Sequence, residues 1–242
     1  MKKIKKFFKL SSWPPNEQAR DIWLASTLKR LPRGLKILDA GAGELRNKKH
    51  CEHLIYVSQD FNQYHGHDKT EFNDGLGPRT WDVSKIDIVS DIISIPLADE
   101  SFDIILCSEV LEHVPDPCLA LNELERLLKP NGTLILTAPF NANVHFAPYF
   151  FCTGFSKYWY KTNLEKRNFT IQEITPNGNW FTLLQQELCR LGSSEKMERR
   201  PFWPFACLFA NLVIWYLQAR KQSPSNELAC FGYHCIAKKN PN

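Results

Sequence analysis

Five short apolar runs punctuate residues 35–139, and four of them stop at a polar or acidic residue. LKILDA (Leu35 to Ala40) carries Asp39 near its end, and LIYVSQ (Leu54 to Gln59) is followed by Asp60. IDIVS (Ile86 to Ser90) is followed by Asp91, while FDIILCS (Phe102 to Ser108) ends in Ser108 and runs into Glu109. TLILTAP (Thr133 to Pro139) is the fifth. Nearly continuous apolar runs of this length are what parallel strands covered on both faces look like. Between the fourth and fifth, CLALNELERLLK (Cys118 to Lys129) has helical spacing and PNG (Pro130 to Gly132) signals a turn. Ahead of the first, residues 15–31 place Ala19, Ile22, Trp23, Ala25, Leu28 and Leu31 on one helical face. Strand and helix alternate, so the expected architecture is a doubly wound parallel sheet with right-handed connections. Ligands of such sheets sit beyond the carboxyl ends of the strands, and that is where the polar residues fall.

The first of these ends, ILDAGAGEL (Ile37 to Leu45), is a glycine turn. Gly41 and Gly43 let the backbone bend tightly and approach a ligand. A dinucleotide fingerprint needs a third glycine at position 46, where the chain has Arg46. The pair alone is compatible with an ordinary strand-to-helix turn. Asp60 lies seventeen residues after Gly43, where a carboxylate can accept both hydroxyls of a ribose or simply face solvent. Asp39 can brace the loop by accepting backbone N–H groups, and Asp91 with Ile92 can meet an adenine ring.

Taken in order, these motifs resemble a class I S-adenosylmethionine-dependent methyltransferase of the broad type 11 group. ILDAGAGEL is similar to the first family motif, with Asp39, Gly41 and Gly43 matching D-x-G-x-G-x-G and Leu45 in place of its last glycine. SQDF matches the ribose-binding acid, with Phe61 beside Asp60; DESFDIILCSEVLEHVPDP and LERLLKPNGTLILTAPF resemble the fourth- and fifth-strand blocks. The resemblance covers roughly residues 20–175. It implies a Rossmann-like seven-stranded sheet whose last strand is antiparallel. FTIQEI (Phe169 to Ile174) and FGYHCIAKK (Phe231 to Lys239) become strands six and seven, with residues 178–229 as a helical, apolar insertion between them. The whole of 1–242 then reads as one methyltransferase domain behind a basic tail at 1–14. Carried over, Asp39, Ala40, Gly41 and Gly43 line the methionine end of S-adenosylmethionine. Asp60 and Phe61 hold the ribose side, Asp91 and Ile92 meet the adenine, and Ser108 and Glu109 lie under the cofactor.

Methyl transfer from a sulfonium brings its own leaving group, so the protein mainly positions the acceptor. A hydroxyl or amine acceptor must also lose a proton, which invites a general base. His113 in SEVLEHV and His145 in NANVHFAPY follow strands four and five on the ligand-binding rim and are the two candidates. Glu109 and Glu112 are weaker ones, and Tyr149 and Tyr158 lie close to His145 in sequence. YHGHD (Tyr64 to Asp68) has a metal-like H-x-H, but no distant third ligand accompanies it. It is read as a solvated loop, with no metal expected.

A net charge of +4 is too small to imply nucleic acid. Eight scattered cysteines without a C-x-x-C fit a reducing cytoplasm better than a disulfide framework. The start, MKKIKKFFKL, lacks a secretory pattern and reads as a solvated tail or a membrane-surface contact. PFWPFACLFANLVIWYL (Pro201 to Leu217), flanked by Arg199-Arg200 and Arg220-Lys221, reaches only the lower edge of a spanning length. A single crossing would put strands six and seven on opposite sides of a bilayer. Packing on the core, a homodimer contact and an in-plane membrane helix at the inner face stay open for it. The acceptor expected is a small molecule or glycan, lipid-linked if the insertion meets a membrane. A non-catalytic cofactor-binding module and a nicotinamide-dependent oxidoreductase are the rival readings, the latter disfavoured by Arg46.

Overall fold

A computed structural model of the chain describes residues 16–63, 84–197, 201–220 and 224–241. They fall into two compact units, one within Asp21–Thr175 and Gly232–Asn242 and one within Met1–Arg20 and Pro176–Phe231. The basic tail and the H-x-H segment lie outside the described residues.

The described elements are α1 (Asn16–Lys29), β1 (Lys36–Ala40), β2 (Ile55–Asp60), β3 (Ile88–Val89), β4 (Phe102–Ser108), α2 (Pro117–Leu127) and β5 (Leu128–Pro139). They continue with α3 (Lys157–Glu165), β6 (Phe169–Asn177), α4 (Trp180–Met197), α5 (Trp203–Gln218) and β7 (Gly232–Lys239). Short 3₁₀ turns occupy Lys48–His50 and Leu111–His113. The seven strands form one sheet in the order β3-β2-β1-β4-β5-β7-β6. β1 to β5 pair in parallel, and β7 runs antiparallel to β5. The strand order reverses between β1 and β4, which is where the crevice of such a sheet opens.

β4 is the centre of the sheet because its sequence tolerates cover on both faces: Ile104, Ile105, Leu106 and Cys107 are all buried. On one side, Leu24 and Leu28 of α1 pack with Ile37, Leu54, Ile104, Leu106 and Ile135. Trp23 anchors the same helix by stacking on His234 of β7, ring centroids 4.6 Å apart, and by donating its indole N–H to Glu173. α2 starts where its sequence says it should. Pro117 sits at its first position, and the Asp116 side chain accepts the N–H groups of Cys118 and Leu119. At the other end, the buried Lys239 ammonium donates to the carbonyls of Glu125 and Leu128, placing a cation at the helix C-terminus.

Strands β5 and β3 depart from their sequence outlines, and β6 runs on from Ile174 to Asn177. β5 begins at Leu128, ahead of the PNG signal, because the turn is a bulge inside the strand. Phe102 faces Leu128, but Ile104 faces Thr133, and Asn131 adopts φ 61°. β3 shrinks to Ile88–Val89 because Asp87 supplies a side-chain substitute for the ladder, accepting the N–H and hydroxyl of Ser58 at 2.8 and 2.7 Å.

In the second unit α4 packs on α5. α5 buries Cys207, Ala210, Ile214 and Leu217, spaced at helical intervals. The opposite side exposes Phe205, Phe209, Leu212, Trp215 and Tyr216. No helix among the described residues is long and apolar enough to cross a membrane.

Candidate functional site

The loop after β1 closes on the end of β2 through backbone donors. Gly41, at φ 79°, and Ala42 both donate to the Gln59 carbonyl, at 2.8 and 2.9 Å. Gly43 donates to Asp60 Oδ2 at 2.8 Å, and Asn62 donates to Asp60 Oδ1 at 2.9 Å. An ionised carboxylate has about four acceptor sites, so each Asp60 oxygen retains one after these bonds. Gln59 joins three strand ends: its Oε1 accepts from Gly41 and its Nε2 donates to the Ser90 carbonyl at 2.6 Å. Gly41 is required by packing as well as by its backbone angle. A Cβ there would lie 2.3 Å from Val110, just beyond β4. The two loops at the topological reversal therefore touch.

Asp39 turns inward. It is 1% exposed and accepts the Tyr56 hydroxyl at 2.6 Å. Burial pushes its carboxyl up to about 6, against the lowering effect of bonds from Tyr56 and from Asn47 in the loop. Among the described residues it braces the loop through side chains and not through backbone N–H groups. Ala40 is buried too, so these two positions can face a ligand only with their backbone. Leu45, at the missing glycine's place, still adopts the left-handed φ of 59° that a glycine favours. Arg46 forms an exposed ion pair with Glu44.

On the β4 side, the Glu109 N–H donates to the Thr137 carbonyl at 2.8 Å. Thr137 gives its single hydroxyl proton to Glu109 Oε1 at 2.9 Å, so the Ser108 hydroxyl donates to Thr137 Oγ1 at 2.8 Å. This ordered relay fixes Ser108 and Glu109 at the strand end. Asp91 is exposed and accepts the Ile93 N–H in a local turn, while Ile92 is buried.

The segment after β5 folds back over this edge. Its neck is closed by Phe155 N–H to the Pro139 carbonyl and Ala142 N–H to the Thr153 carbonyl, both 2.7 Å. Gly154 allows the neck, since a Cβ there would lie 2.3 Å from the Phe140 carbonyl. The loop is pinned to the turn after β4 by Phe151 and Cys152 N–H groups donating to the Glu112 carbonyl. As a result His113 and His145, 32 positions apart, meet with ring centroids 4.7 Å apart, among Phe146 and Phe150. His113 Nδ1 bonds the Tyr149 carbonyl at 2.6 Å, and His145 Nδ1 bonds the Asn143 carbonyl at 2.8 Å. Burial pulls the His113 imidazole down to about 4, so it is neutral at pH 7. The Glu112 carboxylate is wholly buried, with Oε1 3.7 Å from His113 Nε2. Tyr149 reaches across to Phe61, an edge-to-face contact at 5.6 Å.

The structure thus gathers Gly41, Gly43, Asp60 and the strand end before Asp91 on one side of the crevice. It gathers Ser108, Glu109, His113 and His145 on the other, and Phe61 with Tyr149 links the two. Tyr158 is exposed on α3 and makes no contact with the histidine pair among the described residues. Gln59, Tyr56 and Thr137 were absent from the sequence outline of the site. A polar residue buried inside an apolar strand was the signal available for Gln59 and Thr137. Two surface cavities lie elsewhere, one lined by Leu35, Asp103 and Gly132 at the opposite end of the strands and one along β6. They have no link to this chemistry.

Comparison with known proteins bears on the same stretch. Residues 38–136 match the Methyltransferase domain family model. An uncharacterized methyltransferase of Mycobacterium sp. (strain KMS) is 31% identical over 122 residues, covering 48% of this chain and 43% of that protein. The ubiquinone biosynthesis O-methyltransferase of Pasteurella multocida is 51% identical over 39 residues, 16% of either chain. The chain thus spans less than half the length of the curated relatives it matches. Among solved structures, a putative sarcosine dimethylglycine methyltransferase from Galdieria sulphuraria superimposes with a TM-score of 0.57 at 18% identity, covering 92% of this chain and 86% of that one. At that identity the likeness speaks to the fold.

Proposed function

We propose that this chain, whose residues 38–136 match the Methyltransferase domain family model, transfers a methyl group from S-adenosylmethionine to a hydroxyl or amine. The observation that carries the reading is Asp60 at the crevice. Its carboxylate is preset by the Gly43 and Asn62 N–H groups and, among the described residues, keeps an acceptor site on each oxygen. A ribose diol has two hydroxyl donors and fits that pair. The exposed ring of Phe61 and the side chain of Ile92 offer apolar cover for an adenine, with Asp91 beside them. The backbone at Asp39–Gly43 takes the methionine end, and Ser108 with Glu109 supports the sulfonium.

In the reaction the acceptor oxygen or nitrogen attacks the methyl carbon. The carbon–sulfur bond breaks, the sulfur keeps its electrons, and the acceptor's proton leaves. The protein's part is alignment, and the imidazole wall of His113 and His145 marks the acceptor end. His113 is a poor proton acceptor at neutral pH, because its imidazole sits near 4. Its ring is part of the wall that positions the acceptor.

The acceptor is a small molecule or glycan intermediate, lipid-linked if the exposed aromatic side of α5 meets a bilayer. That side, bordered in sequence by Arg199, Arg200, Arg220 and Lys221, suits an in-plane contact at the inner membrane face. Eight cysteines without a C-x-x-C, several of them buried, suit a cytoplasmic setting.

Thermal shifts with S-adenosylmethionine, its demethylated product and NAD test the donor. Stabilisation follows mass action. A shift with the first two and none with NAD is expected. A shift with NAD alone would overturn the reading in favour of an oxidoreductase, and donor binding without turnover over a broad acceptor panel would favour a regulatory module.

A further inference from the structure

We propose that Glu112, His113 and His145 bind a divalent transition-metal ion, of the zinc type, at the acceptor end of the crevice. One ligand atom from each of the three residues lies within 4.8 Å of the others. Metal bonds of about 2.0–2.2 Å in a tetrahedron place ligand atoms roughly 3.3 Å apart, and His113 Nε2 already lies 3.7 Å from Glu112 Oε1. The remaining contraction falls on His145, which is carried by a loop and not by a strand.

The hydrogen bonds fix the tautomers needed. A ring nitrogen facing a carbonyl must carry the proton. His113 Nδ1 faces the Tyr149 carbonyl and His145 Nδ1 faces the Asn143 carbonyl, so both Nε2 atoms present lone pairs. Histidine ligands of metals are held in this way by a carbonyl behind the ring. His113 Nε2 is buried and makes no hydrogen bond among the described residues. A purely aromatic cluster with Phe146 and Phe150 would not need both Nδ1 atoms turned to carbonyls, nor a buried carboxylate beside His113. Two imidazoles and one carboxylate, with a fourth position open, is the donor set of catalytic zinc sites.

On the methyl-transfer reading, on which this role rests, the ion would bind the acceptor's hydroxyl oxygen and lower its pKa. The O–H bond breaks, the proton passes to water, and the oxygen takes the methyl as the sulfonium becomes a neutral thioether. The ion thus supplies the deprotonation.

The test is titration of the tag-free, metal-stripped full chain with cobalt(II). One equivalent should raise visible d–d bands that zinc displaces. His145→Ala and Glu112→Gln should lose the bands while still giving a thermal shift with S-adenosylhomocysteine, which shows that they fold. No bands in the parent, or unchanged bands in both folded variants, would overturn the site. Cobalt bands with no S-adenosylhomocysteine shift would support the ion site and remove the methyl-donor reading, so the two fail separately.

Discussion

At the residue scale, Leu45 and Asp39 show how much of the glycine turn is hidden by residue names. Position 45 keeps the backbone of the missing glycine while carrying a leucine, at φ 59°. A side chain in that region costs roughly 1–2 kcal/mol. Comparing Leu45→Ala with Leu45→Gly cancels the lost leucine packing. In ordinary strands and helices glycine is the less stable of such a pair by about 0.5–1 kcal/mol. Here Leu45→Gly should be the more stable, by about 1 kcal/mol in urea denaturation; the usual order would contradict a left-handed residue. Asp39 gives the pH prediction. Its native carboxyl stands at about 6, above the unfolded value near 3.8. The native state therefore binds more protons between these values. The stabilising contribution is full below about pH 4 and is lost as pH rises through about 6. Asp39→Asn keeps an acceptor for the Tyr56 hydroxyl and does not titrate. From pH 4 to pH 7 the stability difference should move in the variant's favour by on the order of 2 kcal/mol. A difference constant with pH would mean that Asp39 is ionised normally.

At the element scale, legibility followed cover. β4 spans Phe102–Ser108, the same seven residues as its apolar run, because a central strand has only one way to satisfy such a sequence. At the edge the rule weakened: Asp87 took over a ladder bond and left β3 with two residues. The bulge at Pro130–Gly132 read as a turn because it is one, set inside a strand. For α5 the sequence announced an apolar helix without saying which side is covered. Phe202 is 73% exposed and Trp215 76%, an aromatic side that a bilayer interface would accommodate. Flotation with anionic vesicles should carry the chain upward, and Phe205→Ser with Trp215→Ser should abolish this without lowering stability. Parent chain left at the bottom of the gradient would remove the membrane reading.

At the scale of the whole molecule, the strand order brings residues far apart in sequence to one rim. The reversal between β1 and β4 places Gly41 against Val110, and the alternation of strands and helices was enough to anticipate that crevice. The convergence of His113 with His145 was not legible. It depends on a loop returning over β4 through the neck at Ala142 and Thr153, a path set by backbone hydrogen bonds that leave no pattern in composition. The proposed acceptor side therefore rests on its chemistry and not on a motif. The donor side rests on Asp60, where the account is most exposed to a single measurement. Calorimetric titration of S-adenosylhomocysteine should show one site per chain in the parent protein, and Asp60→Ala should weaken binding by at least about 100-fold, the order expected when two charge-assisted hydrogen bonds are lost. Equal affinity in the two proteins would contradict the ribose assignment and the methyl-donor site built on it.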